Sequence, residues 1–372
     1  MGLTARVVES PAGLEPIVAE WDALAVAAGR PFSAPAWPLA WWRHLAPAGA
    51  ALRVLAVEDG DGLAGVVPLY ASGRGLATLG AKMAPVEPLA REGIEPAVAA
   101  AAAEHLAAGR PRPATVGLRG HESAPEWAAL LAGAWPGRAG ARVWPELSTA
   151  APRVEFGDGL EAWLAGKSSS FRRDIRRSGR KLEQAGGEFR YATAETLERD
   201  VGEFLRLHRL RLVAQGGSNL PAQGVAEMLT AVGAELLPSG RFRLICLDLD
   251  GETIAANLLL AAGREVSAWN SGFDDAHREY SPVMQCLLHA IGDAAERGEG
   301  SMSLGAGGQD YKYRLADAED RIASTLVLPR GSTYPLARLR LLPSRVRRLV
   351  AGGLSPQAKQ RLRRLPHRSA RP

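Results

Sequence analysis

Cysteine is almost missing: the chain of 372 residues holds two, Cys246 and Cys286, each inside an apolar run. That excludes a disulfide scaffold and predicts two buried thiols in a reducing compartment. No run approaches the ~18 uncharged apolar residues of a membrane span. The opening MGLTARVVESPAGLEP has neither the basic-then-apolar order of a signal peptide nor the Ser/Thr of a myristoylation site, so a cytoplasmic protein is expected. The seven histidines are scattered and there is no HExxH or CxxC, so no metal is expected. Between Ala268 and Gly298 neither GxGxxG nor GxxxxGK(S/T) occurs, so that stretch is neither a dinucleotide fingerprint nor a P-loop. The C-terminal region is basic and free of acidic residues. Residues 331–372 hold eleven of the 45 Lys and Arg and no Asp or Glu, leaving 34 basic against 40 acidic residues in 1–330. The net charge of +5 therefore belongs to the tail, and the body is mildly acidic.

What is present is a globular composition, 47% hydrophobic and 23% charged, long enough for two domains. TARVVES reads as a strand and GLEPIVAEWDALAVAAG as an amphipathic helix. PFSAPAWPLAWWRHLA reads as an aromatic mini-core between helices or as the wall of a ligand cleft. LRVLAVEDGDGLAGVVPLY and FRLICLDLDGETIAANLLL both read as hairpins, with Asp-Gly turns at Asp61 and Asp250, 189 residues apart. This pair suggests one α/β unit used twice. The second copy starts near STAAPRVEF. Ser168 to Ser170 cap a basic helix that Gly186-Gly187 stop. A long helix, ETLERDVGEFLRLHRLRLVAQGG, comes next, followed by three strands, a helix to about Arg297, the strand SMSLGA, the short segment QDYKYRLA and the strand IASTLVL.

The stretch AWNSGFDDAHREYSPVMQCLLHAIGDAAERG poses the functional question. It reads as a strand ending at Gly272, an acidic loop, and a helix opened by Ser281-Pro282. Ser281 suits a cap and Pro282 suits the first helical position. The amides of Val283, Met284 and Gln285 would then face an anion, with Arg278 just before them. The competing reading is a capped core helix with no ligand.

The segments FRRDIRRSGRKLEQAG, FLRLHRLRLVAQGG, WNSGFDDAHREYSPVMQCLLHAI and SLGAGGQDYKYRLA resemble the GNAT-like acetyltransferases of the CelD/BcsL (BioF2-like) type, relatives of the FemAB transferases. The resemblance covers roughly residues 168–315, and PFSAPAWPLAWW is similar to the start of that family. It implies an α/β (α+β) fold of tandem GNAT-like units, each a mixed, mostly antiparallel sheet flanked by helices. The expected organisation is an N-terminal unit over 1–150 forming an acceptor wall, an acyltransferase unit over 151–330 and a basic helical tail over 331–372. Acetyl-CoA or another acyl-CoA would be the donor. Its pantetheine would run along the strand edge at Asn270 and Ser271, and its pyrophosphate would sit at Arg278, Ser281, Val283, Met284 and Gln285. The family's phosphate pattern, Arg/Gln-x-x-Gly-x-Gly/Ala, falls here on Arg278 to Val283, with Ser281 and Val283 in place of the small positions.

A GNAT-type reaction needs a base for the attacking amine or hydroxyl, donors for the oxyanion and an acid for the leaving thiolate. The resemblance and the loop position make Asp274, then Glu279, the candidate bases, and Tyr311 or Tyr313 the candidate acid. Asp274-Asp275 reads equally as a solvated turn. Trp269, His208 and Lys312 are candidate acceptor contacts, as is Arg173 on the basic helix; that helix reads equally as a solvated face. The acceptor expected is a small molecule or a glycan precursor of the envelope or an exopolysaccharide. The tail could touch an anionic membrane. Nucleic acid enters only under a FemAB-like alternative with aminoacyl-tRNA as donor, and a non-catalytic binding protein is a third reading.

Overall fold

The computed structural model describes residues 2–122, 126–157, 159–213, 220–331 and 333–341. Most of the basic tail, and with it the expected membrane contact, lies outside the described residues.

The first half opens with β1 (Thr4–Val8), α1 (Pro11–Leu14), α2 (Val18–Ala27) and α3 (Ala36–Leu45). Strands β2 (Ala51–Asp59), β3 (Gly62–Ser72), β4 (Gly75–Thr78) and the short β5 (Leu89–Ala90) follow, then α4 (Glu95–Ala108), β6 (Thr115–His121), α5 (Trp127–Gly133) and β7 (Ala141–Glu155). The second half contains α6 (Leu160–Ala165), α7 (Ser169–Gln184), β8 (Glu188–Tyr191), α8 (Leu197–Val213) and α9 (Val225–Leu236). It continues with β9 (Phe242–Leu249), β10 (Glu252–Ala262), β11 (Glu265–Phe273), α10 (Pro282–Glu296), β12 (Ser301–Ser303), α11 (Asp310–Leu315) and β13 (Ala318–Pro329).

All strands form one 13-stranded sheet in the order β1-β2-β3-β4-β6-β13-β7-β12-β11-β10-β9-β8, with β5 beside β3. Two neighbours are parallel, β4 with β6 and β11 with β12, and the other strand pairs are antiparallel. The fold is thus a mixed, mostly antiparallel sheet flanked by helices. The series β1-β2-β3-β4-β6 and β8-β9-β10-β11-β12 repeat the same pairing senses, each with a helix crossover before its last, parallel strand, so the duplication suggested by the hairpins is present in the topology. The strand that follows each series is exchanged: β7 pairs with β12 of the second series, and β13 pairs with β6 of the first. The two exchanged strands pair with each other along their length, from Ala318↔Arg153 to Pro329↔Ala141. Residue 150 falls inside β7.

The two Asp-Gly turns are not equivalent. Asp250 and Gly251 both have positive φ, 52° and 80°, as a two-residue type I′ hairpin turn requires. In the first hairpin the turn residues are Gly60 and Asp61, and Gly62 already opens β3.

Periodicity explains the helices. In α7, Phe171, Ile175, Ser178 and Leu182 are buried at spacings of four, three and four, and the arginines take the other face. Ser168 caps α7 by accepting from the Phe171 amide, and Gly186 ends it at a φ of 79°. Three apolar clusters result. One lies under α4 and α5 in the first half, one under α6, α7 and α10 in the second, and the third is shared between the halves. Phe32, Trp37 and Trp41 are buried in the shared cluster, together with Phe204 and Leu207 of α8. The aromatic segment is therefore core, at roughly 1.5–3 kcal/mol per buried side chain. Arg241 also ties the halves together through Asp22 at 2.6 Å. Cys246 and Cys286 are free and fully buried; burial pushes the Cys246 thiol up to about 12. No described helix is long and apolar enough to cross a membrane.

Candidate active site

The ladder between β11 and β12 is short, running from Glu265↔Ser301 to Ser267↔Ser303. Past Ser303 the chain turns away: the Leu304 amide donates to Pro152 O and the Gly307 amide to Ala150 O on β7. Strand β11 continues to Phe273 with no strand on that side. Its register against β10 also breaks here. Leu258 faces Asn270 and Leu259 faces Ala268, so Trp269 is the extra residue of a β-bulge. Such bulges re-aim side chains beside functional sites.

A cavity of about 250 Å³ opens where the two strands part. Its walls come from α8 (His208, Arg211, Leu212), β10 (Asn257), β11 (Ala268 to Ser271), α10 (Leu287) and the segment Leu304 to Lys312. Two glycines make the geometry possible. A Cβ on Gly272 would overlap the backbone of α8 at Leu207 and His208, so only glycine lets the helix cross the end of β11 there. Gly305 has φ +75°, and a Cβ on it would stand 2.7 Å from the Ala268 carbonyl.

His208 is 4% exposed. Its Nδ1 lies 3.2 Å from the Ser271 carbonyl, so the proton belongs on Nδ1 and the lone pair on Nε2. Nε2 is buried without a partner, as is Oδ1 of Asn257. Burial is the main cause that holds the His208 imidazolium below its ordinary range; the Ser271 carbonyl opposes it, and the charges of Arg211 and Arg209 add to it. Lys312 is 6% exposed, and its Nζ donates to the carbonyls of Gly305 at 3.0 Å and Ala306 at 3.1 Å. Burial, with Arg211 nearby, lowers it from 10.5 to about 8. Arg211 donates to Ser271 Oγ at 2.5 Å. The Trp269 indole donates to Met83 O at 2.9 Å and packs edge-on against Trp37, so the first half supports this wall from behind.

Six of the residues singled out from sequence therefore share the cavity: His208, Trp269, Asn270, Ser271, Tyr311 and Lys312. Tyr313 does not, since its hydroxyl donates to Glu319 at 2.5 Å on the surface. Asp274 and Glu279 are not wall residues either. Asp274 caps a 3-10 turn by accepting from the Ala276 amide, and Glu279 pairs with Lys181 at 2.8 Å. Arg173 is exposed on α7, away from these walls.

The start of α10 departs from the expected cap. Ser281 occupies the N-cap position, but in left-handed conformation (φ 52°, ψ 50°) and with no side-chain cap bond. Gln285 offers no amide to a ligand, because that amide already bonds Ser281 O. Its buried side chain instead donates to Ile175 O and Ser178 Oγ, clamping α10 to α7. The amides of Val283 and Met284 lie in the first turn, where the helix supplies no acceptor. The Val283 and Met284 side chains pack on the second-half core. Arg278 is exposed and pairs with Asp275 at 3.5 Å. Leu287, a cavity wall, lies one turn along the same face as Val283, so the first turn of α10 and the cavity adjoin one helix face.

Residues 169–313 match a family model described as an acetyltransferase (GNAT) domain. Two solved structures share the fold over most of both chains. FemX has a TM-score of 0.63 at 11% identity, covering 87% of this chain and 98% of that chain. L-PGS from Bacillus licheniformis has a TM-score of 0.53 at 14% identity, covering 91% and 96%. A tandem GNAT protein from the clavulanic acid biosynthesis pathway scores 0.43 at 18% identity, covering 88% and 99%. At these identities the likeness is one of fold. No curated protein matches the chain. The stretch similar to a GNAT acetyltransferase domain thus lies within a larger mixed sheet, and the parted strands and their cavity fall inside it.

Proposed function

We propose that the protein is an acyltransferase of the CelD/BcsL type that moves an acyl group from acetyl-CoA or another acyl-CoA to an amine or hydroxyl in this cavity. The observation that carries the reading is the open edge of β11 beyond Ser267, which is bulged at Trp269 and borders the cavity. The residues fit such a donor: an extended amide-bearing arm can lie along Asn270 and Ser271, and its phosphates can meet the free amides of Val283 and Met284, with Arg278 before them. The Val283 side chain packs into the core, which leaves its amide for this use. The first half forms the supporting wall through Met83 and Trp37.

In this reading His208 is the base. Its neutral imidazole, with the proton on Nδ1, has a free lone pair on Nε2 to take the proton of the attacking group. Tyr311 is the acid for the leaving thiolate. Asp274 and Glu279 have no step. The direct transfer forms the new C–N or C–O bond, breaks the thioester C–S bond and returns the proton to the thiolate. The acceptor is a small molecule or a glycan precursor met in the cytoplasm, and the basic tail gives a peripheral hold on an anionic membrane.

Calorimetric titration of acetyl-CoA into the full chain tests the donor, with the Ser281→Glu/Val283→Glu double variant as control. Micromolar binding lost in the control supports it. No binding at millimolar acetyl-CoA would sink it, and aminoacyl-tRNA would be the next donor to titrate.

A further inference from the structure

The cavity walls hold cations and no acid. Their charged residues are Arg211 and Lys312, with neutral His208 beside them, and Asp and Glu are missing from the lining. Neither cation has a carboxylate partner among the described residues: Arg211 meets Ser271 and the Phe273 ring, and Lys312 meets two backbone carbonyls. The segment that follows α8, Ala214 to Asn219, contains no acidic residue in its sequence. Among the described residues other shielded cations do reach carboxylates, although Arg119, like Lys312, is held by backbone carbonyls alone. Arg243 forms a two-pronged pair with Glu299, Arg190 bridges Asp200 and Asp248, and Arg153 reaches Glu265 and Asp320.

An ammonium taken out of water without a counter-charge is costly, and two neighbouring cations repel. The cost is recovered when an anion enters. A donor's pantetheine arm is uncharged, and its phosphates are assigned to the amides at the start of α10, not to Arg211 of α8 or Lys312 of α11, so in this reading the donor does not supply that anion. The same walls also carry two unpartnered acceptor atoms, Nε2 of His208 and Oδ1 of Asn257. They suit the N–H or O–H of a nucleophile. At about 30 Å³ per water, a cavity of about 250 Å³ holds a small molecule or one end of a larger one.

We infer that the acceptor carries a carboxylate or phosphate close to its nucleophilic amine or hydroxyl, and that Arg211 and Lys312 hold this oxyacid group. Arg211 supplies the planar fork that matches either group, while Lys312 supplies a point charge behind it. The inference rests on the reading of the cavity as the acceptor site, and it adds the chemical class of the acceptor.

The test is a binding measurement on the full chain without any acyl-CoA. Two pairs of probes are titrated by calorimetry: β-alanine against β-alaninamide, and O-phosphoethanolamine against ethanolamine. The member that carries the carboxylate or phosphate should, in at least one pair, bind roughly tenfold to hundredfold more tightly, the range of a charge-assisted contact. The pair that discriminates tells carboxylate from phosphate. Arg211→Gln, a partly exposed site whose variant is checked for an unchanged melting temperature, should bring the discriminating pair within about twofold of each other. Equal binding within both pairs, no binding of any probe at millimolar concentration, or discrimination untouched by Arg211→Gln would each overturn the inference. Charged amines that bind while acetyl-CoA does not would leave the anion site standing and remove the acyl-CoA reading. The reverse pattern would do the opposite.

Discussion

Gly272 and His208 touch through their backbones: the end of β11 meets α8 so closely that the amide nitrogen of His208 occupies the space a Cβ on residue 272 would need. The approach brings the His208 ring to the Ser271 carbonyl. Gly272→Ala should therefore push α8 off the strand. The cost is about 1–3 kcal/mol, the usual range for overpacking, and acetyl transfer should fall along with it. Urea denaturation read by circular dichroism checks the first. If the variant unfolds at the wild-type midpoint, the contact is softer than described.

His208 should be neutral at physiological pH, since burial holds its pKa below the ordinary 6.5. The acid limb of the pH–rate profile for acetyl transfer should then lie below pH 6.5. His208→Gln should remove that limb and lower kcat by roughly a hundredfold to ten-thousandfold, the span of general-base contributions. A variant that keeps both its rate and its acid limb would remove His208 from the mechanism.

Lys312 gives a stability prediction with a definite sign. Its folded pKa of about 8 lies below the ordinary 10.5. Below pH 8 the folded state holds a charged, buried lysine at a cost. Between about pH 8 and 10.5 the unfolded chain binds the extra proton, so the protein gains stability as pH rises. The gain across that window is about 3 kcal/mol. Lys312→Met should lack it, whatever constant offset its lost hydrogen bonds introduce. Melting curves of the two proteins from pH 7 to pH 10.5 that stay parallel would contradict the assignment.

The pair Arg243–Glu299 is nearly inaccessible on both sides, with side chains 8% exposed, and bonds at 2.5 and 2.7 Å. Removing Glu299 leaves the buried Arg243 with only a longer contact to Asp293 at 3.8 Å. Glu299→Ala should cost about 3–5 kcal/mol. Exposed Lys181–Glu279 is the contrast, where Glu279→Ala should leave the melting temperature nearly unchanged. Equal losses at the two sites would refute the distinction.

Much of this fold can be read from sequence, because strands and helices announce themselves by period. The hairpins, the capped basic helix and the order strand–loop–helix–strand are all where the pattern puts them. Position along the chain served the cavity less evenly. His208, Trp269 and Lys312 stand out as polar or aromatic residues in apolar surroundings. Asn257 carries the same mark, a lone amide in IAANLLL, and Arg211 shares a helical face with His208 three residues away. Both signals are present but weak without the fold that converges them. Asp274 and Glu279 read as candidate bases because they lie in the loop beside the expected donor site. Which side of a loop faces a groove depends on tertiary packing, and sequence period does not encode it. The bulge at Trp269 and the left-handed Ser281 are likewise invisible, since both arise where neighbouring elements set the backbone.

The exchanged strands β7 and β13 make the halves inseparable by any single cut of the chain. The matched domain, residues 169–313, stops short of both. Produced alone, that segment would present β12 as a bare edge where β7 belongs, an invitation to sheet-to-sheet aggregation. Evolution cannot shuffle such a unit as a cassette. It travels with its neighbour, and a fragment cut at the matched boundaries would lack the strand that covers β12.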